Sequence, residues 1–181
     1  MAPSDLTARL AIVSLVRDRW RRNFCLPNYT PADWWECEVF ELTEAGFFRE
    51  YEVKLTRGDF LRDAAKDRKV WATDPATGRL NTRELVSTGT KHERMAKGDE
   101  RGPSRFWFVV PAGLVQLSDV PAWAGLLELT DRGSSHAPRW RWRVAEQRPA
   151  PQLHRKKLSD QVAAHARGIC YYRMHALLAP G

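Results

Sequence analysis

Cysteine is scarce in this sequence, and long apolar runs are missing from it. The 181 residues include three cysteines (Cys25, Cys37 and Cys170), no C-x-x-C pair and five scattered histidines. This pattern argues against a zinc site, and an odd number of widely spaced cysteines is typical of a reducing cytoplasm. The apolar segment LAIVSLV is too short for a membrane span and runs into RDRWRR. We therefore expect a cytoplasmic protein without signal peptide or membrane partner.

Positive charge exceeds negative charge along the chain. Lysine and arginine number 29 against 22 acidic residues, which gives a net charge of +7. Such an excess suits a polyanionic partner, although many proteins of similar charge bind nothing specific. The length predicts one domain, residues 1–181, with a core large enough to fold unaided.

Two alternating segments predict a β-hairpin. Apolar residues alternate from Trp35 to Leu42 and again from Phe47 to Leu55, with Glu44-Ala45-Gly46 between them. A three-residue loop that ends in glycine suits a hairpin closed by a left-handed glycine. This loop pairs Thr43 with Phe47 and thereby fixes the register of both strands.

That register gathers charge on one face of the hairpin. Glu38 falls opposite Glu52 and Glu36 opposite Lys54, while Glu52 and Lys54 share a face because they lie two residues apart. Like charges directly opposite each other cost stability unless something compensates them. A divalent cation between Glu38 and Glu52 would do so; a solvated sheet face with cross-strand Glu–Lys pairs is the alternative.

The motifs that follow the hairpin occur in a recognisable order. After Glu52-Val53-Lys54 come KLTRGDFLRDAAKDRK, KHERMAKG, RFWFVVPAGL and VPAWAGLLEL. This order resembles the PD-(D/E)xK nuclease superfamily, in particular small phage and bacterial proteins related to the MmcB-like DNA-repair family. The resemblance covers roughly residues 34–130, and the tail RKKLSDQV…YYR fits more loosely.

The resemblance implies both a fold and a chemistry. The fold would be α/β and restriction-endonuclease-like, with a mixed central sheet flanked by helices. The activity would be Mg²⁺-dependent (or Mn²⁺-dependent) hydrolysis of phosphodiester bonds in DNA, for repair or for phage or mobile-element DNA processing. Glu38, Glu52 and the backbone carbonyl of Val53 would hold the metal, since Mg²⁺ prefers oxygen ligands. Lys54 would orient or deprotonate the attacking water, with a lowered pKa, or stabilise the phosphorane charge.

Other acids are candidates for supporting this site. Glu36 and Glu50 share the strand faces of the motif, and solvated structural roles are the alternative for both. Asp59 would cap the helix after the hairpin, lie near the metal, or both. Asp18 is an acid of the first helix but stands in an R-D-R context, which favours a surface ion pair.

Basic residues in three places are candidates for contacting nucleic acid. Each is also compatible with a solvated basic face, and a lone histidine beside lysine is often a surface residue. In the segment RWRWR, cations alternate with aromatics, which suits a strand that tracks phosphates or a half-buried strand with inward tryptophans. The candidates are Lys66, Lys69, Lys91, His92, Arg139, Arg141 and Arg143.

Periodicity predicts the remaining elements. We expect helices at residues 5–22, 59–70, 91–97 and 157–178, a loop at 23–31, a mobile excursion at about 74–89, and strands at 105–110, 125–129 and 139–144. Residues 139–178 would form a basic C-terminal strand and helix. Two alternatives to the nuclease stay open, namely a catalytically inactive nucleic-acid-binding module and a phage-encoded interaction protein.

Overall fold

A six-stranded mixed sheet forms the centre of the computed structural model, which describes residues 6–19, 23–73, 80–133 and 138–178, with the backbone alone for 68–73, 80–86, 138, 139 and 178. The strand order is β1-β2-β3-β6-β7-β8, and β3, β6 and β7 run parallel while the other neighbours are antiparallel. Helices lie on both faces, so the predicted α/β fold with a mixed sheet flanked by helices is confirmed.

The described elements follow one another in a simple order. They are α1 (Ala8–Arg19), β1 (Phe24–Tyr29), β2 (Cys37–Leu42), β3 (Phe48–Val53), α2 (Arg57–Arg62), a 3-10 turn (Asp63–Ala65), β4 (Asp67–Thr73), β5 (Leu80–Thr90), α3 (Lys91–Ala96), β6 (Arg105–Pro111), a second 3-10 turn (Leu117–Asp119), β7 (Gly125–Asp131), α4 (Pro138–Arg141), β8 (Trp142–Arg148) and α5 (Asp160–Leu178). None of these helices is long and apolar enough to cross a membrane.

The sheet separates two hydrophobic clusters because side chains alternate between its faces. One cluster contains Phe40, Phe106 and Phe108, and α2, α3 and α5 cover it. The other contains Tyr51 and Trp107, stacked with ring centroids 5.1 Å apart, and α1 covers it. Glu50 and Glu52 lie on the same strand face as Phe40 and Phe48, so their carboxylates enter the first cluster.

The predicted hairpin is confirmed. The N–H of Thr43 donates to the carbonyl of Phe47 at 3.0 Å, and Gly46 has the left-handed φ of 85° that the turn needs. The strands pair from Leu42 with Phe48 to Val39 with Tyr51. Continued by one residue, this register places Glu38 opposite Glu52, as expected.

The predicted loop at residues 23–31 is wrong, because Phe24–Tyr29 pairs with β2 as an edge strand. Pro27 lowers the strand signal of this segment. At a sheet edge, however, proline costs little because an outward N–H would have no partner strand to bond.

The segment after the hairpin also differs from expectation. The helix predicted to reach Val70 ends at Arg62, and after the 3-10 turn the chain enters β4. Strand β5 then pairs with β4 in a separate two-stranded ribbon. The prediction of an excursion without strand structure is therefore wrong for residues 80–89. Residues 74–79 lie outside the described residues.

The terminal segments begin and end close to the predicted positions. The first helix covers Ala8–Arg19 within the predicted 5–22, and α5 begins three residues later than predicted. The RWRWR segment is not a continuous strand, because Pro138–Arg141 forms a helical turn and β8 begins at Trp142. This turn breaks the predicted alternation of basic and aromatic faces.

Gly125 tests how tightly β7 packs. An added Cβ there would lie 2.4 Å from Cδ1 of Trp107 and 2.7 Å from the backbone nitrogen of Ala150. We expect Gly125→Ala to lower the free energy of unfolding by about 1–3 kcal/mol, as overpacking does. Gly168→Ala is the matched control, because Cβ meets open space in α5 and alanine favours the helix. Urea unfolding compares them, and a neutral Gly125→Ala would contradict this packing.

Candidate active site

The predicted Glu52 and Lys54 lie at the end of β3 and are almost completely buried, with 1% and 2% of their surfaces exposed. The N–H of Lys54 donates to the carbonyl of Val109 at 2.9 Å, which extends the parallel pairing of β3 with β6 by one residue. Burying charged groups beside phenylalanine rings is costly unless they are paired. The pairing partners come from the 3-10 turn, from Lys66 just after it, and from α3.

Two lysine ammonium groups contact the same pair of carboxylate oxygens. Nζ of Lys54 lies 2.9 Å from Oε1 of Glu52 and 3.0 Å from Oδ1 of Asp63. Nζ of Lys66 contacts the same Glu52 oxygen and lies 2.8 Å from the same Asp63 oxygen. Asp63 reaches this position because α2, capped by the Thr56 hydroxyl, passes into the 3-10 turn.

A third lysine closes the inner side of the cluster. Lys91, fully buried at the start of α3, contacts Glu50 and lies 2.9 Å from Oε2 of Glu52. Indole Nε1 of Trp34 donates to the other oxygen of Glu50 at 2.7 Å. Glu50, predicted to support the site, therefore joins Glu52 through Lys91.

His92 completes the cluster on its partly exposed side. Its Nε2 lies 2.9 Å from Oδ2 of Asp63, and its ring meets the edge of Trp123 with centroids 4.9 Å apart. These contacts join seven side chains into one ionic cluster, which consists of Glu50, Glu52, Lys54, Asp63, Lys66, Lys91 and His92.

Glu38 lies at the point where the hairpin ladder ends. Since Thr43 and Phe47 form a hydrogen-bonded pair, alternation would make Cys37 and Val53 another. The N–H of Val53 instead donates to the Glu38 carboxylate. Burial and the nearby charge of Glu52 raise the pKa of Glu38 to about 7.

The expected lowered pKa of Lys54 is wrong. Burial alone would lower it, but the carboxylates of Glu52 and Asp63 raise the pKa of Lys54 above its ordinary value. Burial would likewise raise the pKa of Asp63, but the hydrogen bond from His92 and the charge of Lys54 hold it well below its usual range. Lys54 is therefore an ammonium ion paired with two carboxylates.

The donor set allows a test of the expected Mg²⁺ site. The carboxylates supply the oxygen ligands that Mg²⁺ prefers, but Lys54 and Lys66 contact one oxygen of Glu52 and Lys91 contacts the other. Among the described residues, no group of three or more His, Cys, Asp or Glu side chains is placed to hold a metal ion. With all three lysines in position, the residues do not fit Mg²⁺ or Mn²⁺ at Glu52.

The remaining predicted support residues contribute less to the cluster. Glu36 is exposed. Asp18 pairs with Arg19 at 3.3 Å on the surface of α1, which agrees with the ion-pair alternative. Asp59 is not the helix cap, because its own N–H donates to the hydroxyl of Thr56 at 3.1 Å. Threonine takes this role since it precedes the first helical residue.

The predicted nucleic-acid contacts separate by exposure. The prediction for Lys91 is wrong, because its amine is fully buried between two glutamates. Lys66 is 41% exposed at the solvent side of the ionic cluster, and His92 is largely buried against Trp123. Lys69 lies in β4, and its side chain is outside the described part of the chain.

The arginines of RWRWR do not form one basic face. Arg141 makes two hydrogen bonds to the Asp131 carboxylate, at 2.7 and 2.6 Å, from the helical turn. Arg143 is exposed on the edge strand β8. The side chain of Arg139 lies outside the described residues. Of the three arginines, Arg143 is the one that the described part of the structure places in a strand with an exposed side chain.

Sequence reasoning missed Asp63, which contacts two lysines and His92. The sequence does contain a signal for Asp63, because it follows Asp59 by four residues in a segment predicted as helix, and this spacing puts two acids on one helix face. Sequence reasoning also missed that the ribbon brings Lys66 and Lys91 together. Asp67 pairs with Thr90, and the N–H of Lys91 donates to the carbonyl of Lys66 at 3.0 Å.

Comparison with known proteins finds a structural neighbour of undetermined role. No protein-family model matches the chain, and no curated protein shows significant similarity to it. A protein of unknown function from Silicibacter pomeroyi has a similar structure, with a TM-score of 0.60 and 18% sequence identity over 96% of this chain and 92% of the other. This similarity shows the fold alone.

Lys91 tests the energetic role of the cluster. Lys91→Met leaves two buried carboxylates without their shared counter-ion, so we expect a loss of about 3–5 kcal/mol in the free energy of unfolding. Lys97→Met, at an exposed lysine just after the same helix, should change it by less than about 0.5 kcal/mol. Glu50→Gln added to Lys91→Met should recover part of the loss. Equal urea midpoints for Lys91→Met and wild type would contradict the role of Lys91.

The depressed pKa of Asp63 predicts a pH dependence of stability. A carboxyl with a folded pKa below its ordinary 3.8 stabilises the fold above that pH, and this contribution disappears as the pH falls toward the folded pKa. The difference in unfolding free energy between wild type and Asp63→Asn should therefore be full at pH 6 and shrink below about pH 4. Urea titrations across pH 2.5–6 measure it, and a constant difference would contradict the ion pairing.

Proposed function

We propose that this protein is a nuclease that hydrolyses phosphodiester bonds in DNA. The observation that carries the proposal is the convergence of Glu38, Glu52 and Lys54 at one end of the hairpin. The residues come from the ends of two neighbouring strands. Lys54 pairs with Glu52, and the charge of Glu52 helps to raise the pKa of Glu38. The resemblance of the motif order to MmcB-like PD-(D/E)xK proteins and the net charge of +7 agree with it.

The position of the cluster supports a ligand site. It lies where β3 passes out of the sheet beside the parallel strand β6. In open α/β sheets, ligands bind outside the carboxyl ends of the strands. Lys66 and Glu38 give this buried cluster partly exposed groups through which a phosphate could be reached.

Each residue has a distinct part in the proposed reaction. Hydrolysis forms a bond between a water oxygen and phosphorus and breaks the bond from phosphorus to the leaving sugar oxygen, which takes up a proton from solvent. It therefore requires a proton acceptor for the attacking water and positive charge beside the phosphate oxygens. Lys54, fixed by Glu52 and Asp63, supplies permanent positive charge. Lys66 supplies a second charge at the entrance, and Glu38 is placed as a carboxylate that can accept a proton.

The proposal includes Mg²⁺ or Mn²⁺ only if the lysines that contact Glu52 rearrange. When bound by oxygen ligands, such an ion supplies charge neutralisation at phosphorus and lowers the pKa of a bound water. The lysine contacts on Glu52 must open first, and the roles of Lys54, Lys66 and Glu38 do not depend on the ion. A cytoplasmic location, expected from the cysteine pattern, is likewise part of the proposal.

One observation favours a second function. Ammonium groups engage both oxygens of Glu52, which would suit a nucleic-acid-binding protein that keeps the site for stability and does not cleave. The two functions differ in whether DNA cleavage depends on Glu52. A nuclease loses cleavage when Glu52 changes, whereas a binding module shows DNA binding and no cleavage that depends on this residue.

Nicking of supercoiled plasmid DNA in the presence of Mg²⁺ tests the proposal. We expect Glu52→Gln and Lys54→Met each to lower the rate by about 10²-fold or more. Lys54→Met removes the positive charge proposed to lie beside the phosphate, and Glu52→Gln removes a carboxylate that fixes Lys54. Glu44→Gln, in the hairpin turn at the far end of the same strands, and Lys97→Met are the matched controls.

Folding must be verified by urea unfolding, since Glu52 and Lys54 are buried. The control variants should cleave at the wild-type rate. Equal cleavage by Glu52→Gln and wild type would reject the nuclease, and wild-type binding of DNA without any nicking would favour the binding module.

A further inference from the structure

Arg49 and Arg105 lie side by side on the face of the sheet that α1 covers. Their Cα atoms are partners in the parallel pairing of β3 with β6, and neighbouring strands are about 4.8 Å apart. Both side chains point to the face of Tyr51 and Trp107, because side chains alternate along a strand. Like charges directly opposite each other cost stability unless something compensates them. The two arginines therefore need negative charge nearby.

The described part of the chain supplies this pair with one carboxylate, that of Glu41 in β2. Glu41 is the Cα partner of Arg49 across the hairpin, and Nη1 of Arg49 lies 3.6 Å from its Oε1. That distance makes an ion pair and is too long for a hydrogen bond. The fully buried Glu41 carboxylate accepts its hydrogen bonds from the Tyr51 hydroxyl and the Asn23 amide. One carboxylate thus balances one of the two arginines.

The two guanidinium groups use few of their hydrogen-bond donors within the described residues. A guanidinium carries five N–H donors and no acceptor. Arg105 makes one hydrogen bond, from Nη1 to the carbonyl of Ala150, and the guanidinium of Arg49 makes none. The Arg49 side chain is 30% exposed and Arg105 is half-buried, so a ligand can reach both from solvent.

A cavity of about 150 Å³ beside the two arginines has a lining that suits an oxyanion. Its volume exceeds the roughly 30 Å³ share of a single water molecule, so it admits a larger polar ligand. Planar guanidinium groups recognise phosphate through pairs of parallel N–H bonds. None of the lining side chains is acidic; they are Phe47, Arg49, Ser104, Arg105 and Gln152.

We propose that Arg49 and Arg105 form a binding site for a phosphate-class oxyanion, either inorganic phosphate or the phosphoryl group of a nucleotide. The site is separate from the ionic cluster, because Arg49 stands near the start of β3 while Glu52 stands near its end and points to the other face. The inference therefore does not rest on the proposed function. A bound oxyanion supplies the second negative charge and stabilises the folded state.

Equilibrium dialysis of the full chain against radiolabelled inorganic phosphate tests the inference. We expect Arg105→Met to weaken phosphate binding by about tenfold or more, because it removes charge-assisted hydrogen bonds. Arg105→Lys should recover only part of the affinity, since lysine keeps the charge without the planar fork. Arg9→Met is the matched control, because it removes one charge from an exposed arginine of α1, and it should bind phosphate as wild type does.

Arg49→Met serves as a second variant and is read together with urea unfolding without phosphate. Arg49 also balances the buried Glu41, so this change should lower stability as well as phosphate affinity. Arg105→Met leaves the contacts of Glu41 in place, and it therefore decides the question if Arg49→Met does not fold.

Displacement of the labelled phosphate by thymidine 5′-monophosphate, with thymidine as the control, identifies the source of the oxyanion. Displacement at the same concentration as unlabelled phosphate supports the inference with the phosphoryl group alone as the ligand. Displacement at a much lower concentration supports it with a nucleotide as the ligand.

Three results would overturn the inference. The first is equal phosphate affinity of Arg105→Met and wild type. The second is loss of binding in Lys66→Met with wild-type binding by Arg105→Met, which would place the phosphate at the ionic cluster. The third is no measurable binding of phosphate or of thymidine 5′-monophosphate by wild type, which would leave the nuclease proposal intact.

Discussion

The pairing of buried carboxylates with buried ammonium groups is the constraint on which the rest of this structure depends. Glu50, Glu52 and Asp63 are withdrawn from water inside a cluster that also contains Phe106 and Phe108. Uncompensated, such charges would cost far more than the net stability of a domain of this size. The 3-10 turn, the residue after it and α3 supply the partners at the end of β3, namely Asp63, Lys66 and Lys91.

The same pairing decides what chemistry the site can perform. A lysine in a dry pocket without carboxylates loses its proton easily, whereas Lys54 lies against two of them and retains it. The site therefore combines positive charge with the Glu38 carboxyl, whose pKa burial and the charge of Glu52 raise to about 7. Buried pairs of this kind contribute little net stability compared with an apolar core, although removing one partner of such a pair is strongly destabilising.

Local features of the sequence were sufficient to predict the hairpin and its charged face. The loop with Gly46 fixes the register, and the register alone places Glu38 opposite Glu52. Asp63, Lys66 and Lys91 could not be assigned in this way, because their meeting depends on how α2 ends and how the ribbon returns. Lys91 shows the difficulty, since KHERMAK resembles a solvated basic helix. The Thr90 capping box starts the helix at Lys91, whose side chain is buried there.

The β4–β5 ribbon has an evolutionary consequence. Its base is closed by the hydrogen bond between Lys91 and Lys66, so the two lysines hold their places however far the ribbon extends beyond that point. Doubling the length of such a closed segment costs only about 0.6 kcal/mol in chain entropy. The ribbon is thus an appendage that insertions, deletions or exchange for an unrelated hairpin can remodel freely. A change in reach or partner can be acquired there while the ion pairs beneath it stay as they are.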